Sequence, residues 1–189
     1  MNNDTDETLM LNFSAGDQGA FDALYRRHRA PLYRYVLRQL GVSQQSRAEE
    51  LFQDVWFRVV DKRSSYEPSA KFTTWLYRIA HNIVIDEYRK QQSEKDYRAQ
   101  LDTDDAWEQP DNPAERQQSA LKHCMGLLAP KQREAFLLRH EAGFEPAQIC
   151  DIVDAKPETL KTRLRYALDQ LRQCLTKKLG AENDTPIFR

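Results

Sequence analysis

In the segment PETLKTRLRYALDQLRQCLTKKL, Lys161, Arg165 and Arg172 line up beside an apolar face of Leu160, Leu164, Ala167, Leu168, Leu171 and Leu175, with Thr162 further round. Seven basic and two acidic residues lie between Lys156 and Lys178. Cations placed to meet phosphates, with Thr or Arg able to reach base edges, are what a DNA-reading helix requires. Such a helix also needs a bracing helix across a tight turn. Here a short apolar element, Pro146 to Val153, meets Asp154-Ala155-Lys156, and Pro157 opens the longer helix. That order is helix-turn-helix. Asp154 stands in the turn, where Gly is the easier residue, and Asp tolerates the left-handed conformation better than most. The plainer alternative is a basic surface helix of a bundle; the turn in the right place favours the DNA-reading helix.

A second stretch, KFTTWLYRIAHNIVIDEYRKQQ from Lys71 to Gln92, poses a different question. Advancing about 100° per residue along a helix places Phe72, Trp75, Leu76, Ile79 and Ile83 on one apolar side, expected to be buried. The opposite side collects Thr74, Tyr77, Arg78, His81, Ile85, Tyr88 and Arg89, with Asn82 at its edge. Exposed helix faces ordinarily carry Glu, Lys, Gln and Ala. Two tyrosines, a histidine and two arginines are an unusual population for one. Either this face meets a partner, or Tyr77 or Tyr88 packs against a neighbouring helix.

Catalytic and metal chemistry find little support. His28, His81, His123 and His140 are scattered, without HExxH spacing, a Gly-rich phosphate loop or a nucleophile–base pair. His123 and Cys124 are adjacent on a predicted helix and cannot easily point at one metal. No enzyme activity, cofactor or metal is expected. Cys124, Cys150 and Cys174 are odd in number and lack CxxC spacing, so they read as reduced, mostly buried thiols of a cytosolic protein. The segment MNNDTDETLM is acidic and polar, unlike a signal peptide. No apolar run approaches the roughly 18 residues that span a bilayer, so no membrane insertion is expected and the location is read as cytoplasmic.

The elements that must position these residues are helical throughout. Of the 189 residues, 40% are hydrophobic and 30% charged, Gly and Pro number only 6 and 8, and no alternating strands occur. The fold class is all-α. One helix runs from Asp17, a plausible N-cap, to a stop at Gly41, with Phe21, Leu24, Tyr25, Leu32, Val36, Leu37 and Leu40 as its buried side. A second follows in SRAEELFQDVWFRVVDK, where Ser46 precedes an acidic first turn. Tyr66-Glu67-Pro68-Ser69 is a turn before the helix at Phe72. Then AQLDTDDAWEQPDNPAE carries six carboxylates and no cation, and Pro110 and Pro113 discourage continuous helix. It reads as a linker between two small helical domains.

The order AFDALYRRH, AEELFQDVWFRVV, FTTWLYRIAHNIVIDEYRK, acidic linker, LLAPKQREAFLLRHEAGF and AQICDIVDAKPETLKTRL resembles the extracytoplasmic-function (ECF) sigma factors of bacterial RNA polymerase. The resemblance runs from about Ser14 to Leu179. It implies a region 2 domain over 1–95, a flexible acidic linker over 96–116, a region 4 helix-turn-helix domain over 117–180, and a tail over 181–189. It implies RNA polymerase core, promoter DNA and an anti-sigma factor as partners. AEELFQDVWFRVV resembles the helix that docks on the polymerase, making Glu50, Gln53, Asp54 and Phe57 candidate contacts. The Ser64–Lys71 turn and the helix after it resemble the part that captures the −10 element, which would explain the unusual face. Single-stranded binding uses π-faces and cations: Tyr77, Tyr88 and His81 supply the first, Arg78, Arg89 and Lys90 the second, with Thr74 and Asn82 beside them. Trp75 reads as core first and DNA wedge second. ETLKTRLRYALDQLR resembles the helix that reads the −35 element, with Lys161, Thr162, Arg163, Arg165 and Tyr166 at its contact positions. The sequence departs from the family at Glu158, where Gly is usual, and at Tyr166–Leu168. The alternative is a helix-turn-helix regulator acting without core polymerase; it would need a dimer and leaves the N-terminal helices unexplained.

Overall fold

The computed structural model describes residues 4–97 and 110–180, and among them every regular element is helical. The all-α expectation holds. Two compact units emerge: residues 4–97 together with Ala147–Asp154, and residues 110–146 together with 155–180.

The first unit holds α1 (Asp6–Ser14), α2 (Gln18–Leu40), α3 (Gln45–Asp61) and α4 (Phe72–Tyr97). Asp17 caps α2 as expected, its Oδ1 accepting from Gly19 N at 2.8 Å and Ala20 N at 3.3 Å. Gly41 closes the helix at φ 98°, a conformation that favours glycine. A single turn of 3-10 helix, Val42–Gln44, then leads into α3. Here the expectation needs correcting: α3 starts at Gln45 without a side-chain cap, one residue before Ser46, and its first turn is not acidic. Met10, Leu24, Leu32, Val36, Val55, Val59, Phe72, Leu76, Ala80 and Val84 form the closed interior. Phe21, Tyr25, Phe52 and Trp56 pack as an aromatic cluster between α2 and α3, with Tyr25 and Trp56 ring centres 5.0 Å apart.

The second unit holds α5 (Pro113–Gly126), α6 (Pro130–Phe136) continuing into a π-helical turn Leu137–Glu141, and α8 (Pro157–Leu179). Between them in sequence comes α7 (Pro146–Val153). Of the stretch read as linker, 98–109 lies outside the described residues, as does the tail 181–189. Pro113 does not hinder helix but opens α5, because at the first turn its missing N–H is no loss; Asn112 caps it, accepting from Ala114 N at 3.0 Å.

The cysteines also depart from expectation. Cys124 on α5 and Cys174 on α8 are joined as a disulfide, with Cα atoms 5.8 Å apart, and Cys150 is free. They are 50 positions apart, so local spacing carried no sign of the pairing.

Candidate nucleic-acid and partner surfaces

On α3, Leu51, Val55 and Val59 point inward, so Glu50, Gln53, Asp54 and Phe57 fall on the open side. Phe57 is 65% exposed. A ring left this open on an otherwise charged face has the character of a contact residue. Glu50 is paired with Arg47. Asp54 and Phe57 also line a groove of 240 Å³ whose other wall is Ile83, Asp86, Glu87 and Lys90 of α4. Arg47 bridges the groove, reaching Glu87 at 2.5 Å as well as Glu50. Those bonds raise its guanidinium further above its ordinary value, and the Arg47 hydrogen bond holds the Glu87 carboxyl below the usual carboxylate range despite burial.

The face of α4 requires the largest correction. Thr74 and Tyr77, expected outside, are 6% and 4% exposed. Tyr77 packs on Tyr35 of α2, ring centres 5.1 Å apart. Tyr88 is half-buried, its hydroxyl donating to the Gln39 carbonyl. His81 is half-buried too. The physical reason is that α4 packs against α1, α2 and α3 at once, so its covered arc is wider than one apolar stripe and turned by about a quarter of the circumference. Arg78, Asn82 and Arg89 remain exposed, and Lys71 joins them one turn before Trp75. Trp75 and Ile85 are half-buried on that same line. Lys71, Trp75, Arg78, Asn82, Ile85 and Arg89 therefore make one stripe at helical spacing. Lys90 lies off it, in the groove with Phe57. Trp75, read from its apolar-side position as core first and DNA wedge second, is half-buried rather than enclosed, and its spacing from Arg78 and Asn82 sets it on the open stripe. It meets Tyr66 edge-on at 5.2 Å.

On α8, Leu160, Ala167, Leu171 and Leu175 are buried. Lys161, Thr162, Arg165 and Tyr166 are exposed, and Arg163 is half-buried on the flank. The Arg165 guanidinium lies 5.2 Å from the centre of the Tyr166 ring, a cation–π arrangement that orients both. Thr162 Oγ1 donates to the Glu158 carbonyl at 2.9 Å, so its hydroxyl is turned to its own helix. Asp154 adopts φ 48°, the left-handed conformation read from its place in the turn. Among the described residues no group of three His, Cys, Asp or Glu could hold a metal ion, and no helix is long and apolar enough to cross a membrane.

Comparison with known proteins accounts for both helical sets. Residues 24–94 match the Sigma-70 region 2 family, and residues 118–171 match Sigma-70, region 4. Together these define a promoter-recognition protein of the sigma-70 class. SigK of Mycolicibacterium vanbaalenii, an ECF RNA polymerase sigma factor, is 30% identical over 89% of this chain and 88% of its own. CarQ of Myxococcus xanthus, an RNA polymerase sigma factor, is 29% identical over 88% and 95%. The chain belongs to the ECF sigma factors, and its role is promoter recognition in transcription initiation, not catalysis. Solved structures share its fold, two complexes among them. CnrH in complex with the cytosolic domain of CnrY has a TM-score of 0.68 at 21% identity, covering 92% of this chain and 99% of that one. The sigma factor RpoE of Bartonella quintana with the anti-sigma factor NepR also has a TM-score of 0.68, at 22% identity, covering 82% and 96%.

Proposed function

We propose that the open side of α3, with Glu50, Gln53, Asp54 and Phe57, docks on core RNA polymerase. Residues 1–95 act as the region 2 domain, and the stripe made by Lys71, just before α4, with Trp75, Arg78, Asn82 and Arg89 on that helix captures the separated −10 strand. Cations tracking the backbone and an indole within reach of a base suit a single strand. Residues 117–180 act as region 4, with Lys161, Arg165 and Tyr166 of α8 in the −35 major groove and Arg163 at its edge. The acidic stretch 96–116 joins the two. An anti-sigma factor is a further partner, in keeping with the complex of RpoE and NepR, and the site of action is the cytoplasm, where the polymerase works.

The observation that carries the docking surface is Phe57, open to water on the face that also bears Gln53 and Asp54. Transcription with core polymerase on a promoter library tests the whole reading. A Gln53→Ala, Asp54→Ala double variant should keep its helicity and lose affinity for core. Unchanged core affinity in a folded double variant would remove these residues from the interface, and specific promoter binding by the chain alone as a dimer would favour a core-independent regulator.

A further inference from the structure

Helix α1 lies outside the residues matched to region 2, which begin at 24. Its contacts nevertheless converge on the loop 63–71. At the far end of that loop, Glu7 Oε1 accepts the backbone N–H of Phe72 at 2.8 Å, across 65 positions of sequence. Phe72 opens α4, so this N–H has no partner within the helix, and a carboxylate there also suits the positive end of the helix dipole. At the near end, Arg63 lies over the ring of Phe13, 5.8 Å from its centre. Beside Glu7, Asp6 accepts from Arg27 at 2.9 Å and pairs with His28 Nε2 at 2.8 Å. The His28 ring in turn rests on Phe72 at 5.4 Å. Inside the loop, the Tyr66 hydroxyl donates to the Ala70 carbonyl at 3.3 Å, and its ring meets Phe72 and Trp75 edge-on. Burial, with the Glu7 and Asp6 charges behind it, pushes the Tyr66 phenol up to about 12, so it remains a donor at neutral pH.

We propose that α1 is a brace for the −10-capturing loop, and that Glu7 is its positioning residue: by capping α4 it fixes where Lys71, Trp75 and Arg78 stand before DNA arrives. This rests on the reading of the α4 stripe as the −10 contact. The loop residues Ser64, Ser65, Glu67, Pro68, Ser69, Ala70 and Lys71 are all exposed and bury little of their own. Residues Arg63–Ser65 form a 3-10 turn tied to the end of α3, the Ser65 N–H and hydroxyl both donating to the Lys62 carbonyl at 2.9 Å. Beyond that turn, the placement of 67–71 depends on the anchors at Arg63, Tyr66 and Phe72, and two of those three anchors end on α1.

The full chain is compared with its Glu7→Gln and Glu7→Asp variants. Gln keeps an acceptor oxygen at the same reach, whereas Asp keeps the charge but is one methylene short. Amide exchange at Phe72 is followed in the free chain. With core polymerase, open-complex formation is compared on a cognate promoter and on one with a substituted −10 element. Glu7→Asp should lose protection at Phe72, keep core affinity, and reduce discrimination between the two promoters by about 5- to 30-fold, the equivalent of one cap. Glu7→Gln should retain most of both. A Glu7→Asp variant that discriminates like the wild type, or loses both promoters equally, overturns the brace. A Gln variant as impaired as the Asp variant overturns the capping role. An Arg78→Ala, Asn82→Ala variant run alongside separates the two ideas. If it discriminates normally, the stripe itself is wrong; if it fails while Glu7→Asp does not, only the brace is wrong.

Discussion

Tyr77 and Arg78 are neighbours on α4 with opposite surroundings, and substituting each alone should give opposite results. Tyr77 is enclosed against Tyr35, and removing a buried aromatic ring costs about 3–5 kcal/mol. Tyr77→Ala should lose stability in urea before any promoter defect appears. Arg78 is exposed, so Arg78→Ala should stay within about 0.5 kcal/mol of the wild type. It should weaken binding to a single-stranded −10 oligonucleotide, and the slope of log K against log salt should become shallower by about 0.7. A stable Tyr77→Ala chain with lost oligonucleotide binding would return that ring to the DNA face. Residue type alone could not sort these two. A tyrosine opposite an apolar stripe reads as available, and only the proximity of Tyr35, which is 42 positions earlier in the chain, shows that it is not.

Between elements, the joint of α3 and α4 carries its own pH dependence. Glu87 is 7% exposed, bound by Arg47 at 2.5 Å and by Gln91 at 3.1 Å. Its pKa is lowered from the ordinary 4.5 in the folded chain, first by the Arg47 hydrogen bond. A carboxyl held low in the folded state contributes stability that is complete above its unfolded pKa and disappears as pH falls through the lower folded one. Thermal midpoints should therefore be level near neutrality and fall below about pH 4.5. Arg47→Met should cost about 1–3 kcal/mol at pH 7 by stranding Glu87, towards the lower end because the Arg47 side chain is 37% exposed and screened by water. It should also flatten the acid fall; an equally steep fall in the variant would show that the loss originates elsewhere. From α2 onward the helices were legible because their signals are local: Asp17 before α2, Pro157 opening α8, Asp154 in the turn; α1, over Asp6–Ser14, was not read as a helix. The start of α5 was misjudged because proline was weighed as a breaker without regard to its place in the first turn.

At the scale of the whole chain, the two units differ in what holds them. The first closes on aromatic and aliphatic side chains, whereas the second adds a covalent link between α5 and α8 across 50 positions. A link of that span contributes typically about 2–4 kcal/mol. Reductant, or Cys174→Ser, should lower the unfolding transition of the second unit by that amount and leave the first where it was. A single transition that does not move with reductant would show the link to be energetically silent. In a reducing cytoplasm the pair would be held as thiols, so α8 would then depend on the packing of Leu160, Ala167, Leu171 and Leu175 alone. None of this was visible in cysteine spacing, just as the contact of Glu7 with Phe72 was not. Both join residues that only the folded chain brings together.

Trp75 gives the stripe on α4 a further property. Of the chain's three tryptophans, Trp56 is enclosed in the α2–α3 cluster, Trp107 lies outside the described residues, and Trp75 stands half-open between Lys71 and Arg78. Among the described residues of the second unit there is no indole. In a chain whose Trp107 is replaced by Phe, ultraviolet emission thus comes from one sheltered and one surface fluorophore, both in the first unit. A base laid against Trp75 would quench the second while sparing the first. The protein therefore carries its own optical probe of strand capture, with an internal reference on the neighbouring helix.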